Sequence, residues 1–230
     1  MSQPEIILES REVVKNFGGV SALVNLSLSL PRGRILGLIG PNGSGKTTFF
    51  NVITGIYPVS SGQVIFEGRD ITNWSPQAVC RAGVARTFQR SRLMLPLSVF
   101  DNIMVGNHLN QDSGLVFNLL RRRAFGRELR ENLDSARELA AIFNPRLAEE
   151  IFEAAGRFPM IDRRRVEICR ALVSQPKLLL LDEPSAGMTH AACWNESPTK
   201  CRCRTQLPPA QSPSIFTSVS SAGATTSAVS

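Results

Sequence analysis

The chain has 230 residues, carries a formal net charge of +7 and contains 43% hydrophobic side chains. This length leaves room for one large domain, or for one domain with a small inserted lobe, around a buried core. The longest apolar runs, at residues 35–39 and 178–181, are far shorter than the roughly 20 residues that cross a bilayer, which excludes a membrane-spanning helix.

The positive charge comes from 26 Lys and Arg residues against 19 Asp and Glu residues. Arginine clusters at residues 121–123 and 163–165 suit a nucleic acid, an anionic membrane surface or simply water around a helix. No aromatic residues interleave with them as base stacking requires, so we favour solvated helix faces and expect no nucleic-acid partner. The five cysteines are scattered and the first residues are polar, which favours a reducing, cytosolic compartment.

Short alternating runs near the start of the chain predict β-strands. Residues 6–39 form three such runs, separated by Gly-Gly and by Pro-Arg-Gly, and residues 63–68 form another. Residues 75–83 begin with Ser-Pro and continue with apolar residues at helical spacing, which indicates a helix. Residues 97–155 are rich in Arg, Glu, Leu and Ala with the period of amphipathic helices, which predicts a helical lobe.

The strand-rich pattern returns after this lobe. Residues 163–172 predict a helix, Gln-Pro breaks it, and four consecutive leucines at 178–181 leave no polar face, which predicts a fully buried strand. Residues 191–230 follow neither period, contain several prolines and close in a Ser, Thr and Ala tract with little to bury. We predict that these last residues are mostly disordered.

The motif GPNGSGKT lies between an apolar strand and an apolar helix, which is the context that a phosphate-binding loop requires. Its glycines allow consecutive backbone amides to face the phosphates, where a side chain would block the approach. Lys46 is expected to reach the β- and γ-phosphates, and the Thr47 hydroxyl is expected to bind Mg²⁺. The alternative is a glycine-rich turn followed by a chance Lys-Thr. The predicted nucleotide-binding residues here are Gly40, Pro41, Asn42, Gly43, Ser44, Gly45, Lys46, Thr47 and Thr48.

The phrase LLLLDE predicts a buried strand that delivers two carboxylates to its carboxyl end, where ligands of parallel α/β sheets bind. We expect Asp182 to hold Mg²⁺ through a water molecule, and Glu183 to act as the catalytic base that polarises the attacking water. Alone, such a phrase is more often a strand end with solvated acids. Together with the glycine loop it indicates a nucleotide-hydrolysing site.

Three phrases together resemble an ABC transporter ATPase: GLIGPNGSGKTTFFNVITGIYPVSSGQVIFEGRDIT, GVARTFQ and RRRVEICRALVSQPKLLLLDEPSAGM. The RTFQ phrase and the long helical insert resemble the branched-chain amino acid importer subfamily, and the resemblance covers roughly residues 6–190. It implies that Phe17 stacks on adenine and that Gln89 contacts Mg²⁺ and links the core to the helical lobe. Otherwise Phe17 is a core residue and Gln89 a polar strand end.

The resemblance implies an α/β fold of the P-loop NTPase class, with a RecA-like core, an antiparallel β subdomain, an inserted α-helical lobe and a truncated carboxyl terminus. The predicted domains are a nucleotide-binding core with the β subdomain, a helical lobe, a resumed core with the strand of Asp182, and the tail: residues 1–96, 97–162, 163–190 and 191–230.

Several partners are implied by the same resemblance. The cofactors are ATP and Mg²⁺, and the protein partners are transmembrane permease subunits and a second ATP-binding subunit, identical or related. Residues 91–106 form the candidate contact with the permease. The implied location is cytoplasmic, peripheral on the cytoplasmic face of the inner membrane.

The chain departs from the family in two places. Where the family has an L-S-x-G-Q type signature, this chain has Phe158, Pro159, Met160, Ile161 and Asp162. The further strand with its switch histidine is also missing, so we expect the sheet to lack one strand. We interpret the first change as a reading-frame slip, and the second as another slip or an unrelated fusion. Two hypotheses follow: a working ATPase subunit, or a truncated or frame-shifted homologue that binds ATP without productive hydrolysis. A GTPase or kinase is disfavoured because no guanine-reading motif is visible.

Overall fold

The structure of the chain is a computed structural model that describes residues 5–89, 92–108, 122–183 and 214–220. The described residues form two compact units. The first unit contains the residues up to Arg86 together with two later strands, and the second unit contains Thr87–Lys177. This division agrees with a strand-rich core interrupted by a helical insertion.

The first unit contains an antiparallel sheet of four strands in the order β2-β1-β4-β5. Alternation of apolar and polar residues buries one face, and the Gly18-Gly19 turn, with Gly18 at a φ of 56°, pairs Phe17 with Val20. The first two predicted strands are confirmed, and the strand predicted at residues 63–68 lies at Ser61–Phe66. The strands are β1 (Ile6–Phe17), β2 (Val20–Pro31), β4 (Ser61–Phe66) and β5 (Arg69–Asp70).

The first unit also contains a parallel sheet in the order β3-β8-β7-β6. Helix α1 follows β3 and helix α2 precedes β6, and Ser75 caps α2 by accepting a hydrogen bond from the backbone of Ala78. Parallel pairing brings the carboxyl ends of neighbouring strands to the same edge of the sheet. The elements are β3 (Ile35–Gly40), α1 (Lys46–Ile53), α2 (Pro76–Arg81), β6 (Val84–Arg86), β7 (Leu178–Asp182) and β8 (Ser214–Ser220).

The second unit is helical, as predicted for residues 97–155. Helix α3 begins with a capping box, in which Ser98 and Asp101 bond each other's backbone amides. The core of the second unit joins α3, α5 and α6 through residues such as Ile103, Leu147 and Val166. The helices are α3 (Val99–Met104), α4 (Arg122–Phe143), α5 (Pro145–Glu149) and α6 (Met160–Leu172), with 3-10 turns at Val105–Asn107 and Ala155–Arg157.

The boundaries of the helical lobe differ from those predicted. The lobe was expected at residues 97–162, with the core resuming at residue 163, but the second unit runs over Thr87–Lys177 and includes all of α6. Val166 and Cys169 on α6 are buried in the same cluster as Val99 of α3 and Ala136 of α4. Helix α6 is amphipathic, and its apolar face is covered by this lobe, which the sequence pattern alone does not reveal.

Residues 214–220 depart from the predicted disorder, and they supply a strand to the parallel sheet. These residues form β8, which pairs in parallel with β3 on one side and with β7 on the other. Burial alternates along the strand, with Ser214, Phe216 and Ser218 inside. Both buried serine hydroxyls are hydrogen-bonded. The Ser214 hydroxyl accepts from the Gly33 amide at 2.9 Å, and the Ser218 hydroxyl donates to Asp182 at 2.9 Å. The rest of residues 191–230 lies outside the described residues.

We expect Phe216→Ala to lower the free energy of unfolding by about 3–5 kcal/mol, because the ring is fully buried between Phe49 and Phe50 of α1. Urea denaturation followed by circular dichroism measures this change. Val24→Ala is the control, since Val24 is 69% exposed and its truncation removes little buried area. Equal stability of the Phe216→Ala variant and the wild type would contradict the placement of β8 inside the sheet.

Candidate functional site

The glycine-rich loop runs from the end of β3 into the first turn of α1. Gly43 and Gly45 adopt φ values of 83° and 87°, a region that residues with a Cβ rarely occupy. A Cβ at Gly45 would lie 2.6 Å from the carbonyl oxygen of Ala22, and a Cβ at Gly40 would lie 2.6 Å from the Ser44 hydroxyl. At Gly45 the loop therefore makes a backbone contact that only glycine permits, whereas the Ser44 hydroxyl beside Gly40 can rotate away.

Lys46 is the first residue of α1, and its side chain folds back over the loop. The side chain is buried, and Nζ donates hydrogen bonds of 2.8 Å to the carbonyl oxygens of Gly40 and Pro41. The amides in the first turn of any helix have no acceptor within the helix, and the helix dipole adds partial positive charge there. Lys46 and the start of α1 thus direct positive charge toward the loop, which suits an anionic group such as a phosphate.

Thr47 and Asp182 lie close to each other, although 134 residues separate them in the sequence. The Thr47 hydroxyl donates to Oδ1 of Asp182 at 3.4 Å, and the Ser218 hydroxyl donates to the same oxygen at 2.9 Å. Asp182 is 1% exposed at the carboxyl end of β7. The loop and the carboxyl end of the leucine-rich strand therefore meet, as the sequence predicts.

Glu183 directly follows β7 and has a φ of 47°, a left-handed conformation that is uncommon for a residue with a side chain. Its backbone amide donates to both the carbonyl and the hydroxyl oxygen of Ser218, each at 3.2 Å. The side chain is half-buried. Backbone strain of this kind concentrates at functional sites, where surrounding contacts maintain it.

Arg86, at the end of β6, joins Asp182 to α1. Its Nη2 donates to Oδ2 of Asp182 at 2.8 Å, while Nη1 donates to Oδ1 of Asn51 at 2.7 Å and to the Thr54 hydroxyl at 3.3 Å. The guanidinium lies 5.6 Å from the centre of the Phe50 ring. The sequence pattern does not reveal the roles of Arg86 and Ser218; a signal for Arg86 is its position within the phrase GVARTFQ.

Phe17 lies at the end of β1 in a small aromatic group. Its ring is 43% exposed and meets the ring of Tyr57 edge to face, with centroids 5.2 Å apart. The ammonium of Lys15 lies 4.8 Å from the Phe17 centroid and 5.9 Å from that of Tyr57. Phe17 is thus partly open to solvent rather than a core residue, and nothing in the sequence pattern reveals Lys15 and Tyr57 as its neighbours.

Gln89 is exposed and lies in the second unit, three residues after β6. Its neighbours in the chain are held by α6: Nη1 of Arg164 donates to the carbonyl of Phe88 at 2.8 Å, and Glu167 accepts from the amide of Arg92 at 3.0 Å. Arg164 and Glu167 form a buried ion pair with each other. Because Gln89 belongs to the other unit, its contact with the metal stays a prediction.

The segment that replaces the expected signature forms the start of α6. Pro159 is the N-cap residue and offers no side-chain hydrogen bond to the helix amides. Phe158 is buried, its carbonyl accepts from Nε of Arg163 at 2.8 Å, and Met160 is 63% exposed. A proline at this position has neither an amide hydrogen nor a hydroxyl for a ligand.

The donor atoms at the loop fit a hard divalent cation. The Thr47 hydroxyl and the Asp182 carboxylate are both oxygen donors, and they approach to 3.4 Å beside the lysine-covered loop. Magnesium prefers such oxygen ligands and is bound in nucleotide sites by one or two protein groups together with the phosphates. The residues present therefore suit a magnesium nucleotide.

Taken with the parallel sheet, this loop defines the class of protein. Left-handed glycines, a helix that begins at a buried lysine, and an aspartate delivered from a nearby parallel strand occur together where a triphosphate is bound. The fold and the site are those of a P-loop NTPase.

Comparison with known proteins identifies the family. Residues 23–186 match the ABC transporter family. The high-affinity branched-chain amino acid transport ATP-binding protein LivG of Salmonella typhimurium is 40% identical over 188 residues, which cover 82% of this chain and 72% of that protein. LivG of Escherichia coli K12 is 38% identical over the same shares of each chain. The chain belongs to the ABC transporter family, whose ATPases bind nucleotide.

A solved structure agrees with this assignment. The structure described as the ADP conformation of MJ1267, an ATP-binding cassette of an ABC transporter, matches with a TM-score of 0.75 at 29% identity and covers 94% of this chain and 81% of that one. The predicted fold class is therefore confirmed. Within the ranges that the structure describes, no helix is both long and apolar enough to cross a membrane.

The two left-handed glycines provide a matched test of the loop. We expect Gly43→Ala to lower the free energy of unfolding by about 1–2 kcal/mol, the cost of a left-handed backbone with a Cβ, since no atom lies within 4 Å of the added carbon. Gly45→Ala should lose about 1–3 kcal/mol more, because its Cβ would collide with the Ala22 carbonyl. Urea denaturation of both variants measures the difference, and equal losses would contradict the described loop.

Proposed function

We propose that this chain is the ATP-binding subunit of an ABC importer for branched-chain amino acids, and that it couples ATP binding and hydrolysis to transport through a permease. The observation that carries the nucleotide site is the meeting of Thr47 with Asp182 beside the Lys46-covered loop. The substrate class is supported by the names of the relatives, which are branched-chain amino acid transport proteins at up to 40% identity.

The binding role is divided between residues that contact the nucleotide and residues that contact the metal. The loop amides from Gly40 to Thr48 and the Lys46 ammonium bind the phosphates, and the Phe17 ring offers its face to adenine. Thr47 and Asp182 would hold Mg²⁺, with Gln89 of the second unit as the third predicted ligand. A bound cation would supply positive charge to the phosphates. Lys46 is already oriented by two backbone carbonyls, so little rearrangement is needed to engage phosphate.

Glu183 is the residue that we assign to the chemical step. A water molecule oriented by this carboxylate attacks the γ-phosphorus, the bond to the bridging oxygen of ADP breaks, and the carboxylate accepts the proton of the water. Two hydrogen bonds to Ser218 fix the backbone of Glu183 at the carboxyl end of β7.

Transport requires other chains. Met94, Leu95 and Leu97, within the segment predicted to contact the permease, are 39%, 41% and 41% exposed, which supports a protein-binding surface there. We propose transmembrane permease subunits and a second ATP-binding subunit, identical or related, as partners. The complex would lie on the cytoplasmic face of the inner membrane, with this chain as its peripheral component.

A second candidate function rests on the start of α6. An ATP-bound sandwich of two subunits uses a hydroxyl and backbone amides at this helix start, and Pro159 provides neither. The second candidate is therefore a chain that binds ATP but turns it over slowly or not at all.

We expect ATP to raise the melting temperature of the wild type and to have no such effect on Lys46→Ala, because the phosphates lose their main side-chain cation. Stabilisation by a ligand at a hundred times its Kd is about 2.7 kcal/mol, which is readily detected by differential scanning fluorimetry. Lys177→Ala is the charge-matched control, since Lys177 is exposed and outside the loop. An ATP-induced shift that survives in Lys46→Ala would contradict the assigned phosphate site.

Phosphate release separates the two candidates. For a working subunit we expect ATP turnover that falls by about 100-fold or more in Glu183→Gln, while ATP binding persists. For the slow-turnover candidate we expect no release above background in the wild type and a gain in the variant Pro159→Ser/Ile161→Gly, which restores a hydroxyl and a glycine at the start of α6. A colorimetric phosphate assay measures both. Turnover that is unaffected by Glu183→Gln would contradict the role given to Glu183.

A further inference from the structure

Arg86 has no part in the functions described so far, yet it contacts the central acid of the site. Its side chain is 5% exposed and that of Asp182 is 1% exposed, and Nη2 of Arg86 lies 2.8 Å from Oδ2 of Asp182. We propose that Arg86 is a positioning residue that orients the Asp182 carboxylate for Mg²⁺ and fixes it to the phosphate-loop helix α1. This proposal deepens the proposed function and rests on it.

The contacts divide the two oxygens of the carboxylate. Oδ2 accepts from Nη2 of Arg86, whereas Oδ1 faces the hydroxyls of Thr47 and Ser218. A carboxylate held at one oxygen by a cation and at the other by hydroxyls has one rotational setting. Arg86 therefore turns Oδ1 toward Thr47, the other predicted metal ligand, and groups that orient a metal ligand in this way tune metal affinity.

The same guanidinium also bonds to α1. Nη1 donates to Asn51 and Thr54, one and two turns beyond the loop, so a single rigid group links the strand that carries Asp182 to the helix that carries Lys46 and Thr47. The planar fork of arginine presents several donors in fixed directions. A lysine has one ammonium on a flexible chain, so it is a poor substitute for a group that must bond to Asp182 and to α1 at the same time.

Burial makes this pair sensitive to the loss of one partner. Removing the arginine leaves a carboxylate buried without its cation, and such single deletions are strongly destabilising. Removing the charge of the acid as well relieves that penalty. A purely structural ion pair would show this coupling in stability alone, whereas a positioning residue must also change how much Mg²⁺ strengthens nucleotide binding.

The experiment compares a fluorescent ATP analogue bound in Mg²⁺ with the same analogue bound in EDTA, for the wild type, Arg86→Met, Arg86→Lys and Arg34→Met. Arg34 is an exposed arginine of the first unit and serves as the matched control. The full chain is used throughout, and its melting temperature without nucleotide is recorded for each variant and for Arg86→Met/Asp182→Asn.

We expect Arg86→Met to weaken binding in Mg²⁺ by about 10-fold or more, with less than about a 3-fold change in EDTA. Arg86→Lys should lose part of the Mg²⁺ enhancement, and Arg34→Met should keep all of it. Without nucleotide, Arg86→Met should melt at least about 5 °C lower, and the added Asp182→Asn change should recover part of that loss.

The outcomes that overturn the proposal are specific. Arg86 acts on folding only if Mg²⁺ strengthens nucleotide binding by Arg86→Met as much as it does for the wild type. The same conclusion follows if Arg86→Met loses equal affinity in Mg²⁺ and in EDTA. If Arg86→Met does not fold, Arg86→Lys decides, and an undiminished enhancement there overturns the proposal. A wild type that binds no nucleotide overturns the proposed function itself, which keeps the two failures distinguishable.

Discussion

The carboxylate of Asp182 is 1% exposed, and a carboxylate removed from water to this degree needs a cation and hydrogen-bond donors around it. Arg86, Thr47 and Ser218 provide them, and each comes from a different element: β6, α1 and β8. The Asp182 carboxylate therefore holds three separate elements of the first unit together. The proximity of the loop threonine to the acid follows from this arrangement.

The backbone of the glycine loop could be predicted from the sequence because its constraint is local. The spacing of Gly40, Gly43 and Gly45 before Lys46 reports positions where the chain turns left-handed or approaches another backbone, and the structure shows both conditions. The four leucines before Asp182 similarly report a strand without a polar face. The structure places Thr47 of the loop beside Asp182 at the end of this strand, and the roles of both residues stay predictions.

Contacts that depend on distant pairing could not be read in this way. Nothing in the spacing of Arg86 reveals that its guanidinium faces Asp182, and Ser218 lies in a tract whose composition indicates disorder. The limits of the helical lobe were missed for a related reason: the apolar face of α6 fits either unit, and only packing against Val99 and Ala136 decides between them. Periodicity reports that a face is covered, but it does not report by what.

The position of β8 bears on how the chain matures during synthesis. Strands β3 and β7 are not neighbours, because β8 lies between them and pairs with both. The parallel sheet cannot close until residues 214–220 have left the ribosome, since no earlier segment takes their place in the described fold. Until then the edges of β3 and β7 remain open to pairing with other chains. A chain in which β8 is not in place therefore presents two unpaired strand edges, which favour self-association.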